Sequence, residues 1–258
     1  MDLGLSGARA LVCGASTGLG AAIGDALAGE GARVALAARS ADRLHTAVDR
    51  LGRDRAVPIP ADLSQPDGPA GAVAAAVSAL GGLDALLVNS GGPPLGRFEE
   101  LDDAAWQRAI DGTLWSAIHL IRAALPHLRE SERPAILIIL SSSAREPVPG
   151  LTTSNLLRPG LAGLVKSLAG EIAPVRINGI APGRISTDRI AQLDTSIADR
   201  EGIGPDDVRE RMIGRIPLGR YGDRAEVGRV GAFLLSPAAA YVTGAIVPVD
   251  GGMIRALP

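Results

Sequence analysis

The chain is predicted to fold as a single α/β domain: a Rossmann-type, doubly wound sheet of seven parallel strands flanked by helices. Three observations predict it. Short apolar runs alternate with longer amphipathic stretches from end to end. Those runs are apolar at nearly every position, as strands covered on both faces require. No linker, low-complexity tract or fixed-period repeat divides the 258 residues, so 1–258 is one domain.

The strand candidates are Ala8–Cys13, Arg33–Ala38, Ala56–Pro60, Leu83–Val88, Ala135–Leu140, Val175–Ile180 and Ala245–Val249. Each is short, β-branched or Leu-rich, and bounded by Gly, Pro, Asp or Asn. Helical patterns lie between them at Gly18–Gly29, Ala41–Leu51, Asp67–Leu80, Asp102–Arg129, Asn155–Ile172 and Asp223–Leu235. Asp102 opens its helix with acids in the first turn, and Asp223 with Glu226 three residues on has the form of a capping box. Such alternation implies right-handed crossovers. The exception is Arg184–Gly222, long, polar and weakly periodic. It follows a strand's carboxyl end, the edge where doubly wound sheets bind ligands, and reads as a substrate lid over about 184–222. Helical pieces are expected near Asp188–Ala198 and Pro205–Ile213.

A 47% hydrophobic composition and a net charge of −2 exclude a disordered chain and a basic nucleic-acid binder. One cysteine, Cys13, excludes a disulfide framework and a multi-cysteine zinc site, and suits a reducing compartment. His45, His119 and His127 have no acidic cluster at metal-ligand spacing, so no metal is expected. The longest apolar run, Ala135–Leu140, falls short of the ~18 residues of a membrane span. The first residues, Met-Asp-Leu-Gly-Leu-Ser-Gly, lack the basic start and apolar core of a signal peptide. A cytoplasmic protein with a small-molecule substrate is expected, with neither nucleic acid nor membrane as partner.

Between the first strand and first helix stands Cys13-Gly14-Ala15-Ser16-Thr17-Gly18-Leu19-Gly20. Glycines 14, 18 and 20 permit a tight turn and close approach to a pyrophosphate, whose charge meets the helix N-terminus. Gly14, Ser16, Thr17, Gly18, Leu19 and Gly20 are therefore candidate cofactor contacts. An NAD site usually places an acid at the end of the second strand, but here the sequence is Ala38-Arg39-Ser40. Arg39 is suited to pair with a 2′-phosphate, so NADP(H) is favoured over NAD(H).

With Ala61-Asp62-Leu63, Asn89-Ser90-Gly91-Gly92, Pro182-Gly183-Arg184-Ile185-Ser186-Thr187 and Val249-Asp250-Gly251-Gly252 in order, the chain resembles the short-chain dehydrogenase/reductase family over essentially its whole length. The branch is similar to the 3-oxoacyl-carrier-protein-reductase-like proteins. The resemblance implies that Asp62 and Leu63 border the adenine and that Asn89 and Gly91 flank a ribose. Pro182, Gly183, Ile185 and Thr187 would hold the nicotinamide. It also implies a homotetramer or homodimer, with Asp102–Arg129 and Asn155–Ile172 paired across a two-fold axis.

The catalytic pattern departs from the family's Asn, Ser, Tyr and Lys. Anchored on Leu164-Val165-Lys166-Ser167-Leu168-Ala169, Ser154 stands at the Tyr position and Arg158 at the Lys position. Thr113 replaces the Asn. The serine survives in Ser141-Ser142-Ser143: Ser142 matches through Ala144, whereas Ser141 keeps the family's 13-residue spacing to position 154. The chain's two tyrosines, Tyr221 and Tyr241, are both far from this helix in sequence. An aliphatic hydroxyl is a far poorer acid than a phenol, and an arginine, with a pKa above ~12, cannot shuttle protons. It can donate two aligned bonds to a ribose hydroxyl, a carboxylate or a developing oxyanion. Pro159 means either that the helix starts close to Asn155 or that it is kinked.

The favoured function is an NADP-dependent oxidoreductase acting on a carbonyl or alcohol of a small organic substrate. Ser142, Ser154, Arg158 and Thr113 form its atypical catalytic set, with the proton coming from water, the substrate or a residue such as Glu146. Two alternatives fit the same residues: non-redox chemistry by a dehydratase, isomerase or cyclase, and a non-catalytic nucleotide-binding sensor. Arg97, Arg145, Arg184 and Arg189 lie on segments near the expected pocket, where solvated loop arginines are the commoner case and attraction of an acidic substrate the sharper one.

Overall fold

The structure, a computed structural model, describes residues 2–256. Seven strands, β1 (Arg9–Cys13), β2 (Arg33–Ala38), β3 (Ala56–Pro60), β4 (Ala85–Val88), β5 (Ala135–Ile139), β6 (Arg176–Pro182) and β7 (Ile246–Val249), form one sheet in the order β3-β2-β1-β4-β5-β6-β7. Every pairing is parallel. Side chains along each strand alternate between two cores. Ala10 and Val12 of β1 point into one core while Leu11 and Cys13 point into the other, and on β5 Leu137 and Ile139 oppose Ile136 and Ile138. Burial on both faces is why the strands read as unbroken apolar runs.

Helices cover both faces. α1 (Gly18–Gly29), α2 (Ala41–Leu51) and α9 (Arg224–Leu235) contribute Ile23, Leu44 and Val227 to one core. α3 (Gly68–Leu80), α5 (Ser116–Leu128) and α6 (Thr152–Glu171) contribute Val73, Leu120 and Leu161 to the other. The predicted element order holds throughout, and the boundaries differ by a few residues.

Two helices differ from expectation. The pattern read as one helix over Asp102–Arg129 is α4 (Asp103–Ile110), a five-residue π turn over Asp111–Trp115, and α5. The widened turn frees the Gly112 carbonyl, which accepts a hydrogen bond from Ser116 Oγ at 2.7 Å. π turns recur at functional sites, and this one buries Thr113. The helix expected to start near Asn155 starts at Thr152 and runs through Pro159, which lies beyond its first turn. Pro159 has no N–H, so the Asn155 carbonyl loses its usual partner. Asn155 is used instead to tie the preceding loop, exchanging bonds of 2.9 and 3.0 Å with the Val148 backbone.

The 184–222 segment is largely helical. α7 (Asp188–Glu201) is capped by Thr187 and runs three residues past the expected end to Gly202, whose φ of 67° closes it. α8 (Pro205–Ile213) packs Val208 against Leu193, Ile197 and Ala198 in a small core of their own. The segment's ends are joined: Gly222 donates to the Arg184 carbonyl at 2.8 Å, and Ser186 donates to that of Gly222 at 2.9 Å.

The amino-terminal edge of the sheet is pinned by Asp84, just before β4. It accepts from Arg9 Nη2 at 2.8 Å and Ser131 Oγ at 2.7 Å. Burial pushes this carboxyl up, but the Arg9 and Ser131 hydrogen bonds outweigh it and hold the group below the ordinary carboxylate range. A lowered folded-state pKa adds stability above the unfolded value of about 3.9, lost as pH falls through the folded value. Asp84→Asn is expected to cost about 2–3 kcal/mol in chemical denaturation at pH 7, with a smaller loss below about pH 4. An equal loss at both pH values would show that the carboxylate charge is not what stabilises this edge.

Candidate active site

A cleft of about 1670 Å³ opens along the carboxyl ends of the strands, larger than the 300–1,000 Å³ of a typical single-ligand pocket. Gly14, Ser16, Thr17, Gly18 and Leu19 line it at the β1–α1 turn. Gly14 and Gly18 have φ of 62° and 63°, which disfavour any side chain. Gly20 lies beneath the turn, where a Cβ would sit 2.2 Å from the Gly14 carbonyl oxygen. Thr17, the N-cap of α1, makes no side-chain capping bond, so the helix presents its first N–H groups to the cleft. Asn89 Nδ2 donates to the Cys13 carbonyl at 3.3 Å, bracing the crevice between β1 and β4 where the strand order reverses.

Arg39 is exposed at the end of β2 and lines the cleft beside Ser40 and Arg43. Arg43 was missed by sequence reasoning, although its place in the first turn of α2 is the signal that finds it. Asp62, Leu63 and Gly91 line the cleft too, as do Pro182, Gly183, Ile185 and Thr187 on the far side of the crevice. Asp62 is held below the ordinary carboxylate range by the Ser64 hydroxyl, with a smaller contribution from the Arg39 charge.

Thr113, Ser154 and Arg158 converge on the cleft. Of the serine triplet, Ser141 lines the cleft, while Ser142 is buried away from it. Ser143, not singled out before, shares a 2.9 Å hydrogen bond between its Oγ and that of Ser154. Glu146 does not line the cleft. Arg158 is 7% exposed, and its Nη1 donates to the Ile139 carbonyl at the end of β5, 2.6 Å away. Its Nε is buried without a partner, as is Thr113 Oγ1. Burial, then the nearby Arg189 charge, pulls Arg158 down to about 10 from the ordinary arginine value; it is still a cation at neutral pH.

Neither tyrosine reaches this site. Tyr241 is fully exposed. Tyr221 is buried behind α7, where its hydroxyl donates to Asp194 Oδ2 at 3.0 Å. Asp194 also pairs with Arg184, and Arg209 stacks over the Tyr221 ring at 4.3 Å. The phenol is pushed up to about 12, chiefly by burial, which Asp194 reinforces and Arg184 opposes.

Over residues 14–254 the chain matches the enoyl-(acyl carrier protein) reductase family. It belongs to the short-chain dehydrogenase/reductase family of oxidoreductases. It is 34% identical to a cis-4-hydroxycyclohexanecarboxylate dehydrogenase from Sinomonas cyclohexanicum, covering 94% of this chain and 95% of that one. It is 31% identical to a 3-oxoacyl-[acyl-carrier-protein] reductase from Vibrio cholerae, covering 97% and 99%. The L-sorbose reductase of Gluconobacter frateurii, solved with NADPH and L-sorbose, superposes with a TM-score of 0.93 at 30% identity over the whole of both chains. No helix among the described residues is long and apolar enough to cross a membrane.

Tyr221 bonds within the 184–222 segment and does not line the cleft. Tyr221→Phe keeps the ring under Arg209 and removes one donor to a buried carboxylate, with an expected loss of about 1–3 kcal/mol in denaturation. Turnover should stay within the same order of magnitude. A fall of about 10² or more would instead place the phenol in the proton path.

Proposed function

We propose that this protein is an NADP(H)-dependent oxidoreductase that interconverts a carbonyl and an alcohol on a small organic substrate without a phenolic acid. The observation that carries this reading is the buried Arg158 cation beside Ser154, lining the same cleft as the glycine turn. The residues present fit a dinucleotide. A Cβ at Gly18 or Gly91 would meet nothing within 4 Å, so turn and wall open onto the cleft, and uncapped N–H groups of α1 face it. A nicotinamide dinucleotide, when bound, supplies the hydride.

The chain's own residues do the rest. The Gly14–Gly20 turn and α1 hold the pyrophosphate. Arg39, with Arg43 beside it, takes the 2′-phosphate, a fork-like contact that no acid at this strand end opposes. Asp62 and Leu63 border the adenine, Asn89 and Gly91 a ribose, and Pro182, Gly183, Ile185 and Thr187 the nicotinamide. Arg158 and the Ser154 hydroxyl donate to the substrate oxygen. The fixed guanidinium would stabilise negative charge as it develops on that oxygen. Water entering the open cleft gives the proton, completing the alcohol. Ser143 orients Ser154, and the π turn presents Thr113 to the same floor. The 184–222 segment covers the substrate as a lid.

Fluorescence titration is expected to give NADPH at least about tenfold tighter than NADH, with Arg39→Ala removing most of the difference. Equal affinities in the unmodified protein would reject the 2′-phosphate role of Arg39.

With cofactor deuterated at the transferring carbon, label is expected in the alcohol product of a carbonyl panel. Arg158→Ala should lower kcat/KM about 10²–10³-fold. Conversion without label would assign non-redox chemistry to this site.

A further inference from the structure

The cleft floor holds more positive charge than the protein balances. Arg158 is buried there with one hydrogen-bond partner among the described residues, the Ile139 carbonyl. Arg189, in the first turn of α7, lines the same cleft. It reaches back to the opposite wall, where its Nη2 donates to the Pro93 carbonyl at 2.5 Å. Its Nε lies against Gly92, close enough that a Cβ there would stand 2.6 Å away. Neither guanidinium takes part in an ion pair among the described residues. Burial lowers both, and for Arg158 the Arg189 charge adds to it, so the two cations repel.

The acids of the cleft do not answer this charge. Asp62 follows the outer strand β3 and is engaged by Ser64 Oγ at 2.7 Å. Asp223 caps α9, accepting from Ala225 N at 2.7 Å, and Asp111 accepts from Gln107 Nε2 at 2.9 Å. Asp188 lines the cleft next to Arg189 in sequence, but it forms no ion pair among the described residues. The phosphate cradle lies on β1 and α1, separated from β5 by β4. Desolvating a cation without a counter-ion costs several kcal/mol, and one cation is enough for an oxyanion. A second cation, held in place by Pro93 with its other N–H groups unpaired, is a preformed anion site.

We propose that the substrate itself carries a carboxylate, bound by Arg189 while Arg158 keeps the reacting oxygen, so that the site takes oxo acids and hydroxy acids in preference to neutral ketones or sugars. This rests on the oxidoreductase reading for the reaction and on Arg189 for the substrate class. The Pro93 contact joins α7 to the cleft wall, so the anion closes a site that spans the strand edge and the lid.

Calorimetric titration of malonate and its neutral analogue malonamide tests this, with and without saturating NADPH. Malonate is expected to bind at least about tenfold more tightly than malonamide, and Arg189→Gln to lower malonate affinity at least about tenfold. Arg189→Lys, which keeps the charge but not the fork, should fall between. Equal binding of malonate and malonamide to the unmodified protein overturns the proposal even if Arg189→Gln fails to fold. Malonate binding that survives Arg189→Gln in a folded variant places the anion elsewhere and overturns it as well. Loss of label transfer with malonate binding intact would sink the oxidoreductase reading alone. Label transfer to neutral ketones without malonate binding would sink this one alone.

Discussion

The carboxyl edge of the sheet is dominated by one unusual electrostatic situation: a guanidinium held out of water at the end of β5, with a carbonyl oxygen as its one hydrogen-bond partner among the described residues. Arg158 is carried there by α6, which starts at Thr152 and runs on through Pro159. The Ile139 carbonyl fixes its orientation. A charge desolvated in this way gains strength on whatever shares its cavity, because water no longer screens it. A fixed cation of this kind stabilises charge as it develops but donates no proton at neutral pH. On the function proposed above, that separates the site from one built on a tunable phenol and makes access of water to the reacting oxygen part of the chemistry.

The two ends of the sheet do different work. At the amino-terminal edge Asp84 collects Arg9 and Ser131 into a satisfied cluster that joins the start of β1 to the approach to β4. At the carboxyl edge polar atoms are left without partners, namely Arg158 Nε and Thr113 Oγ1. Buried polar groups are nearly always paired, so two orphans on the floor of one cleft mark where the fold departs from its own rules. The π turn that carries Thr113 is a departure of the same kind, and it lies on the same floor.

Most of the fold was legible because its signals are local. Strands buried on both faces must be apolar throughout, and the glycines at 14 and 18 are demanded by positive φ, so both stand out in the bare sequence. The π turn was not legible: its extra residue leaves the apolar spacing of Asp102–Arg129 looking like one helix, and only the hydrogen-bond pattern exposes it. The choice within Ser141–Ser143 depended on where the chain turns after β5, a matter of one residue that spacing leaves open. Arg189 and Tyr221 were harder still. Each owes its surroundings to α7, so the reach of Arg189 to Pro93 and the retirement of the phenol to Asp194 are products of tertiary packing. The sequence put Arg189 near the expected pocket and singled out Tyr221 as one of two tyrosines, but a polar stretch of weak periodicity gave no sign of what either would touch, and the helices within it were legible only as short pieces.

The backbone pairing of Arg184 and Ser186 with Gly222 closes the 184–222 segment at its neck, so the chain leaves the sheet and returns to it at nearly one point. What lies beyond that neck has its own small core and its own cap, and it meets the rest of the chain again through Arg189 on the Pro93 carbonyl and Leu218 on that of Gly251. Such an excursion is a cassette. Its contents can be exchanged for a longer, shorter or differently charged version while the nucleotide-binding framework stays as it is, which gives this architecture a way to acquire new selectivity without refolding.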